Sequence, residues 1–324
     1  MLRPLIRKCF HEAKWLLAAC GFAVFAFCWL RVWIVSLVDT TRFKAILDML
    51  PGDWQRFTPV DFEWLVTYEG RIALAYDELI VVACVSIWAI ARGSDSVSGE
   101  VGRGTMEMLL GQPVGRAKLL WANACVTVFG VVVLAGTAWL GNWVGIQTTS
   151  VELEVMPRLE LPLHVPGFGS EVALPFAGTQ TQLTPMTELI DPAVLLPATI
   201  NLAVLGFMLA GFATLMSSWD RYRWRTIGIV VGIYIVQVMI KLAGMASDQW
   251  EWLLYLSIFT AYEPEFMVRI ADSAPESLWG WQIQEGSASM FGPLAYHAVL
   301  VVVGAVSYTI ATLVFWRRDI PAPL

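Results

Sequence analysis

The sequence predicts an all-α polytopic membrane protein with six transmembrane helices. Of its 324 residues, 57% are hydrophobic and only 15% are charged, and the mean hydropathy is +0.62. Six apolar stretches are each long enough to cross the hydrocarbon core of a bilayer, which takes roughly 20 helical residues. These observations exclude an ordinary soluble chain, because about one-quarter of the residues in such a chain are charged.

The first apolar stretch, residues 15–38, follows a short basic segment. Its only charge is Arg31, and no small-residue cleavage site follows it before Asp39. The stretch is longer than the apolar region of a signal peptide, so we interpret it as an uncleaved signal anchor. In residues 1–14 the apolar side chains fall on one helical stripe and the basic ones lie elsewhere. This pattern predicts a separate amphipathic helix on the inner leaflet.

Five further spans complete a single transmembrane domain that covers residues 15–324. They are predicted at 72–91, 119–144, 192–216, 226–246 and 296–316. The loops on one side of this domain are long, at 39–71, 145–191 and 247–295, whereas the two loops on the other side are short.

The distribution of basic residues predicts which side faces the cytoplasm. The two termini and the two short loops hold 13 Lys and Arg residues, whereas the three long loops hold six. Because basic loops stay in the cytoplasm, we expect a multi-pass protein of the cytoplasmic (inner) membrane with both termini inside. Nineteen of the 27 acidic residues lie in the long outer loops, which agrees with this orientation.

Two outer loops contain patterns of their own. Residues 151–165 alternate between apolar and polar side chains and are interrupted at 156–158, which predicts a small hairpin. The segment 250–256 is rich in aromatic side chains but too short to cross the membrane, so we expect an interfacial or re-entrant helix there.

Several enzyme and binding classes are excluded by what the chain lacks. It contains no G-x-x-x-x-G-K-[ST] loop, no G-x-S-x-G elbow and no H-E-x-x-H motif, and no G-x-G-x-x-G opens a helix. We therefore expect no catalysis and no bound cofactor on this chain. The three histidines are dispersed along the predicted topology, which predicts no metal site. A net charge of −6 with no long basic tract argues against nucleic-acid binding.

Ionisable residues inside the spans are the usual place to look for a transport pathway. The candidates are Asp77, Glu78 and Lys241, with Arg31 in the first span. All four lie near the predicted outer ends of their spans. We therefore favour interfacial anchoring or one structural ion pair over a role in transport.

The first short loop, between the spans at 72–91 and 119–144, predicts a discrete two-turn helix at 105–110. Thr105 is placed to cap it, Glu107 lies in its first turn, and Gly111 followed by Pro113 ends it. Methionine and leucine side chains give this helix an adaptable apolar surface. Its composition suits docking into the groove of a partner protein.

This loop contains Glu100, Gly104, Thr105, Leu109, Leu110, Pro113, Val114 and Arg116. These residues resemble the Glu…Gly-Thr-x-x-x-Leu-Leu-x-x-Pro-Val-x-Arg signature of a known family, the type-2 ABC transporter permeases. The tail at 315–324 resembles the Arg-Arg-Asp-x-Pro ending of the family. The chain departs from the pattern at Gly102, where a charged or polar residue is usual, and in its longer outer loops.

The resemblance implies a half-transporter. Two copies of this chain, or one copy and a related permease, would form the exporter in the lipid bilayer, and a separate ATP-binding-cassette ATPase would hold the ATP and Mg. The residues it implies for ATPase coupling are Glu100, Arg103, Gly104, Thr105, Glu107, Leu109, Leu110, Pro113 and Arg116. The basic loop with Arg221, Arg223 and Arg225 would make a secondary cytoplasmic contact or bind anionic lipid.

Two other functions remain open at this stage. An ion-coupled secondary transporter would use Asp77, Glu78 and Lys241, but it predicts ionisable residues near the bilayer midplane and repeated halves. A membrane scaffold or sensor would bind a partner through the long outer loops and transport nothing. Only the ABC reading requires a stoichiometric ATPase partner.

Overall fold

A computed structural model describes residues 2–38, 43–44, 49, 51, 56–57, 60–111, 115–155, 158–160, 171–173, 180–285 and 288–318. Within these residues, six helices are long and apolar enough to cross a membrane, which confirms the predicted all-α fold with six spans. The main helices are α1 Leu2–Leu37, α2 Tyr68–Ala73, α3 Leu79–Ser94, α4 Thr105–Leu110, α5 Arg116–Thr148, α6 Leu196–Trp219, α7 Arg223–Ala246, α8 Pro264–Ser273 and α9 Pro293–Arg317. The spans are α1, α3, α5, α6, α7 and α9.

The N-terminal helix differs from the prediction. Helix α1 runs without a break for 36 residues, so the segment 1–14 is not separated from the first span. No glycine or proline lies between Leu5 and Cys20 to end the helix, and buried Leu5 and Ala13 extend the side that packs on the bundle. A helix of this length measures roughly 54 Å, against roughly 30 Å for the hydrocarbon core. Part of α1 must therefore project beyond the membrane.

The bundle is organised around α6, which packs against α3, α5 and α9, while α1 packs along α5. Small residues permit these close approaches. A Cβ added to Gly145 of α5 would lie 2.6 Å from Val32 of α1, and one added to Gly211 of α6 would lie 2.6 Å from the carbonyl of Gly304. Helix α7 is peripheral, because only 11% of its apolar stretch is buried against the rest of the chain.

Both ends of the described chain lie on the same side of the bundle. Lys8 of α1 contacts Glu100, and Arg116 donates a hydrogen bond to the carbonyl of Arg318. We call this side the termini end and the opposite side the loop end.

The strands at the loop end pair differently from the prediction. They are β1 Ser150–Val155, β2 Arg158–Glu160, β3 Glu171–Ala173, β4 Gln180–Pro185, β5 Gln282–Glu285 and β6 Ala288–Phe291. Strand β1 pairs antiparallel with β4, and β2 pairs antiparallel with β3. The predicted hairpin, in which neighbouring segments of 151–165 would pair with each other, is therefore wrong. Alternation along a strand shows that it has two faces but does not reveal which segment lies beside it. The β5–β6 hairpin was not predicted.

The chain between α7 and α8 turns back along α7. It forms tight helical turns at Asp248–Leu256 and Ile258–Ala261. The Ser257 hydroxyl donates to the carbonyl of Gln237, and the Ile258 amide donates to the side chain of Gln237, both at 2.9 Å. Gln237 lies nine residues before the end of α7, so the segment descends roughly 14 Å beside it. This geometry is that of a re-entrant segment.

Candidate functional site

The connection from α3 to α4 is helical for most of its length. Beyond Ser94 the chain continues as a π-helical turn, Asp95–Gly99, and one further α-turn, Glu100–Gly102. Gly104 then adopts φ 71°, a left-handed conformation that a side chain would strain, and α4 begins at Thr105. The predicted bounds of α4, 105–110, are confirmed. Its N-cap, however, is Gly104 and not Thr105.

The π-turn is held by a serine of the neighbouring span. The Ser217 hydroxyl of α6 accepts hydrogen bonds from the amides of Val97 and Ser98, at 3.2 and 2.9 Å, and donates one to the carbonyl of Ser94 at 2.9 Å. A π-turn shifts the backbone out of its usual i→i−4 ladder, so displaced amides need other acceptors. Ser217 therefore fixes the turn against α6.

Asp95 is the centre of an ion cluster that the sequence did not reveal. Its carboxylate is buried and accepts from Arg103 at 2.7 and 3.3 Å, with Arg223 at 3.3 Å and Arg92 at 3.7 Å. The hydrogen bond from Arg103 to Asp95 raises the pKa of the guanidinium further above its ordinary value. The sequence resemblance placed Arg103 in the ATPase-coupling set and Arg223 in a secondary contact. In the tertiary fold both arginines contact the carboxylate of Asp95. The spacing of three residues between Arg92 and Asp95 was the available sequence signal.

Glu100 joins the same cluster from the next turn. Its side chain is buried and lies 2.9 Å from Lys8 of α1 and 3.2 Å from Arg103, and it accepts a hydrogen bond from the Thr105 hydroxyl. We name these groups the charge cluster. It comprises Lys8, Glu12, Arg92, Asp95, Glu100, Arg103 and Arg223.

Helix α4 has one face on the bundle and one face exposed. Met106 is buried, and Leu109 packs beside Leu5 and Ala122. Glu107 and Met108 are exposed, with Met108 at 70%. Pro113, the side chain of Leu110 and residues 319–324 of the tail lie outside the described residues. Of the apolar side chains we expected to dock a partner, Met108 is therefore the one shown to be available.

The remaining predicted residues at the termini end hold the bundle together. The guanidinium of Arg116 donates a hydrogen bond to the carbonyl of Arg318. The guanidinium of Arg318 in turn donates to the carbonyls of Ser218 and Asp220, at 2.8 and 3.0 Å. Arg225 pairs with Asp220. Although burial opposes it, the hydrogen bonds from Arg225 and from two backbone amides lower the pKa of Asp220. Arg221 is half-buried and lies in the connection between α6 and α7.

The charges expected inside the spans form two separate pairs. Glu78 lies 3.6 Å from Arg31, and Lys241 lies 2.6 Å from Glu263 and donates to the carbonyl of Tyr262 at 3.1 Å. The side chain of Asp77 is exposed.

The partner of Lys241 belongs to the re-entrant segment. Glu263 and Glu265 are both buried there, flanking Pro264 at the start of α8. The amide of Glu263 donates to Asn201 of α6 at 3.1 Å. Burial, together with the charges of Asp77 and Glu263, raises the pKa of Glu265 to about 8. Sequence reasoning missed both carboxylates, although two glutamates within a largely apolar segment were a visible signal.

Comparison with known proteins adds the family. The chain matches the sequence model described as ABC-2 family transporter protein over residues 55–320, which is most of its length. No curated protein matches it. Because the matched region contains the helical connection with α4, five of the six spans and the re-entrant segment, the chain belongs to the ABC-2 transporter family as a membrane-spanning, multi-pass subunit of an ABC transporter.

Proposed function

We propose that this chain is the permease subunit of an ATP-driven exporter of the cytoplasmic membrane, with both termini in the cytoplasm. The ATP and Mg are held by a separate ATP-binding-cassette ATPase, and this chain supplies no catalytic group. The ATPase docks on the exposed face of α4, where Glu107 and Met108 point away from the bundle. A flexible methionine among polar groups suits such a contact.

The observation that carries the proposal is the charge cluster behind α4. Through Asp95 and Glu100, the turn that starts α4 is tied to Lys8 of α1, to α3 and to Arg223 of α7. The distances in these links are short and both carboxylates are buried, so a displacement of α4 moves three spans together. ATP-driven movement of a docked ATPase thereby becomes a movement of the transport pathway.

The second half of the transporter is a second copy of this chain or a related permease. Helix α7 supports this part of the proposal because most of its apolar surface has no partner within the described residues. A Cβ at Gly228 or Gly232 would meet nothing within 4 Å, and both lie on the same helical face. Small residues on an open face let a helix of another subunit approach closely.

Substitution of the exposed methionine tests the ATPase contact. Met108→Asp places a charge in the docking face without touching the bundle, so the permease should insert and fold normally. Association with the cognate ATPase should fall by about tenfold or more, since desolvating an unpaired charge costs a few kcal/mol. Co-purification and ATP hydrolysis in nanodiscs measure this. Met290→Asp, at an exposed methionine of the loop end, is the matched control and should change neither.

Two results would contradict the proposal. Unchanged association and coupled hydrolysis in Met108→Asp would remove α4 from the docking surface. Substrate movement that continues with an ATPase unable to hydrolyse ATP, driven by an ion gradient, would favour the ion-coupled secondary transporter instead. Leu109→Asp is a poorer test, because Leu109 packs against α1 and α5 and its substitution would disturb the bundle itself.

A further inference from the structure

A cavity of about 360 Å³ opens beside the charge cluster at the termini end. Three guanidinium groups line it, those of Arg92, Arg103 and Arg223, together with the carboxylates of Asp95 and Glu12. The apolar side chains of Ala13 and Leu16 lie on the wall formed by α1. Pockets of this volume hold small ligands and head groups. The combination of guanidinium donors and an apolar wall suits a ligand with an anionic group and a hydrocarbon portion.

The charges around the cavity do not balance. The cluster contains four cationic side chains and three carboxylates, which leaves a formal surplus of one positive charge. Asp95 alone faces three guanidinium groups, and the most distant of them, that of Arg92, is 3.7 Å away. The surplus matches the single negative charge of a phosphodiester.

Two of the arginines also keep unused donors. Arg92 is 5% exposed, and its Nε has no hydrogen-bond partner among the described residues. The same is true of the buried Nε of Arg223. Buried guanidinium donors normally find acceptors, and guanidinium groups are suited to the oxygens of phosphate. An anion in the cavity would supply the missing acceptors.

Exposed tryptophans beside the cavity indicate that this anion comes from the membrane. Trp15 lies beside the cavity wall on α1 and is 77% exposed, with Lys14 placed over its ring at 5.5 Å. Trp224 follows Arg223 on the other flank and is 73% exposed. Exposed tryptophans on membrane helices mark the interface where lipid head groups lie. Beyond them, α1 and α7 both present exposed apolar side chains toward the membrane.

We infer that this cavity binds the phosphate of an anionic phospholipid from the leaflet on the termini side. The phosphate oxygens accept from Arg92 and Arg223, the acyl chains lie along the exposed faces of α1 and α7, and the head group bridges α1, α3 and α7. A zwitterionic lipid is disfavoured, because its ammonium group would meet a wall that already carries a positive surplus. The site does not depend on the ATPase, so it stands or falls separately from the proposed function.

The experiment measures lipid bound to the full-length protein. Native mass spectrometry and a thermal-shift assay are run on protein in micelles with phosphatidylglycerol or phosphatidylcholine. We expect selective retention of and stabilisation by phosphatidylglycerol in the wild type. Arg223→Gln removes a phosphate donor, and Leu16→Trp fills the cavity without changing its charge. Each should weaken phosphatidylglycerol binding by about tenfold, the effect of losing a charge-assisted hydrogen bond or an equivalent contact.

Arg317→Gln is the matched control, since it makes the same change of charge at an exposed position of the termini end but does not line the cavity. It should bind phosphatidylglycerol as the wild type does. Equal losses in Arg317→Gln and Arg223→Gln, or undiminished binding in both cavity variants while they remain folded, would overturn the site. A soluble arm uses glycerol 3-phosphate and inorganic phosphate. If either stabilises the wild type as strongly as the lipid, and Arg223→Gln abolishes that effect, the lipid source is wrong.

Discussion

At the scale of single residues, Asp95 and Glu100 differ most from what their sequence positions suggested. Glu100 was expected to contact the ATPase and Asp95 was assigned no role, yet both are buried with several cationic partners. Removing one member of a buried charge pair commonly costs roughly 3–5 kcal/mol, because the other member stays uncompensated. An alanine at Glu100 therefore tests the bundle as much as any partner contact, which is why Met108 is the cleaner position.

Glu265 makes the loop end sensitive to pH. Its native pKa of about 8 lies far above that of an unfolded glutamate, so between roughly pH 4.5 and pH 8 the native state holds a proton that the unfolded state releases. The free energy of unfolding should therefore fall as the pH rises through this window, by at most about 1.4 kcal/mol per pH unit, and level off above it. Thermal unfolding between pH 5 and 9 measures the slope.

Glu265→Gln should remove most of this pH dependence, since the amide stays neutral at every pH. Glu276→Gln, at an exposed glutamate of the same loop, should retain it. The charged groups that act on Glu265 are Asp77, Glu263 and Lys241, and their charges help to set its native pKa and thus the upper limit of the pH window. An identical slope in wild type and Glu265→Gln would show that this carboxyl does not hold the proton.

At the scale of elements, the π-turn after α3 is the feature that positions α4. It carries Asp95 at its start and leads directly to Glu100, so its winding decides where the charge cluster forms. Gly99 is required within it, because a Cβ there would lie 2.1 Å from the Asp95 carboxylate. Such turns often occur at functional positions in helices.

Ser217→Ala tests the turn. The substitution leaves the amides of Val97 and Ser98 without their acceptor, and a buried unpaired amide costs about 1–3 kcal/mol. We expect a clear loss of thermal stability together with weaker coupling to the ATPase. Ser218→Ala is the control, because among the described residues the buried Ser218 hydroxyl bonds only the carbonyl of Leu215 in its own helix. Equal stability of the two variants would mean that Ser217 does not hold the turn.

At the scale of the whole molecule, the two ends of the bundle differ in the contacts and elements that form them. The termini end gathers α1, α4, α7 and the end of α9 through ion pairs and hydrogen bonds. The loop end adds strands, the re-entrant segment and α8 over the same spans. Within the described residues, the spans α3, α5 and α6 are the most buried, so they form the centre of the bundle.

The orientation of the bundle is tested by labelling single cysteines in sealed, right-side-out cells. Ser273 and Glu107 are exposed at the loop end and the termini end, respectively. In a background with Cys125 replaced, Ser273→Cys should react with an impermeant reagent and Glu107→Cys should not. Ser98 and Thr149 are unsuitable probes, because both are buried. Labelling of Glu107→Cys alone would reverse the orientation.

The sequence by itself determined the number of spans, the bounds of α4 and the family. Hydropathy and the glycines that limit a short helix are properties of consecutive residues, so a local pattern is sufficient to predict them. The same holds for the signature around Glu100 and Thr105, which the match over residues 55–320 supports.

Only the tertiary structure decided which distant groups meet. Asp95 follows α3 and Arg223 begins α7, Lys8 is 92 residues from Glu100, and β1 pairs with β4 across residues 156–179. These contacts depend on how far each helix extends and how it is rotated against its neighbours, which hydropathy does not encode. Lys241 shows the consequence. Its partner, Glu263, reaches it only because the re-entrant segment descends beside α7.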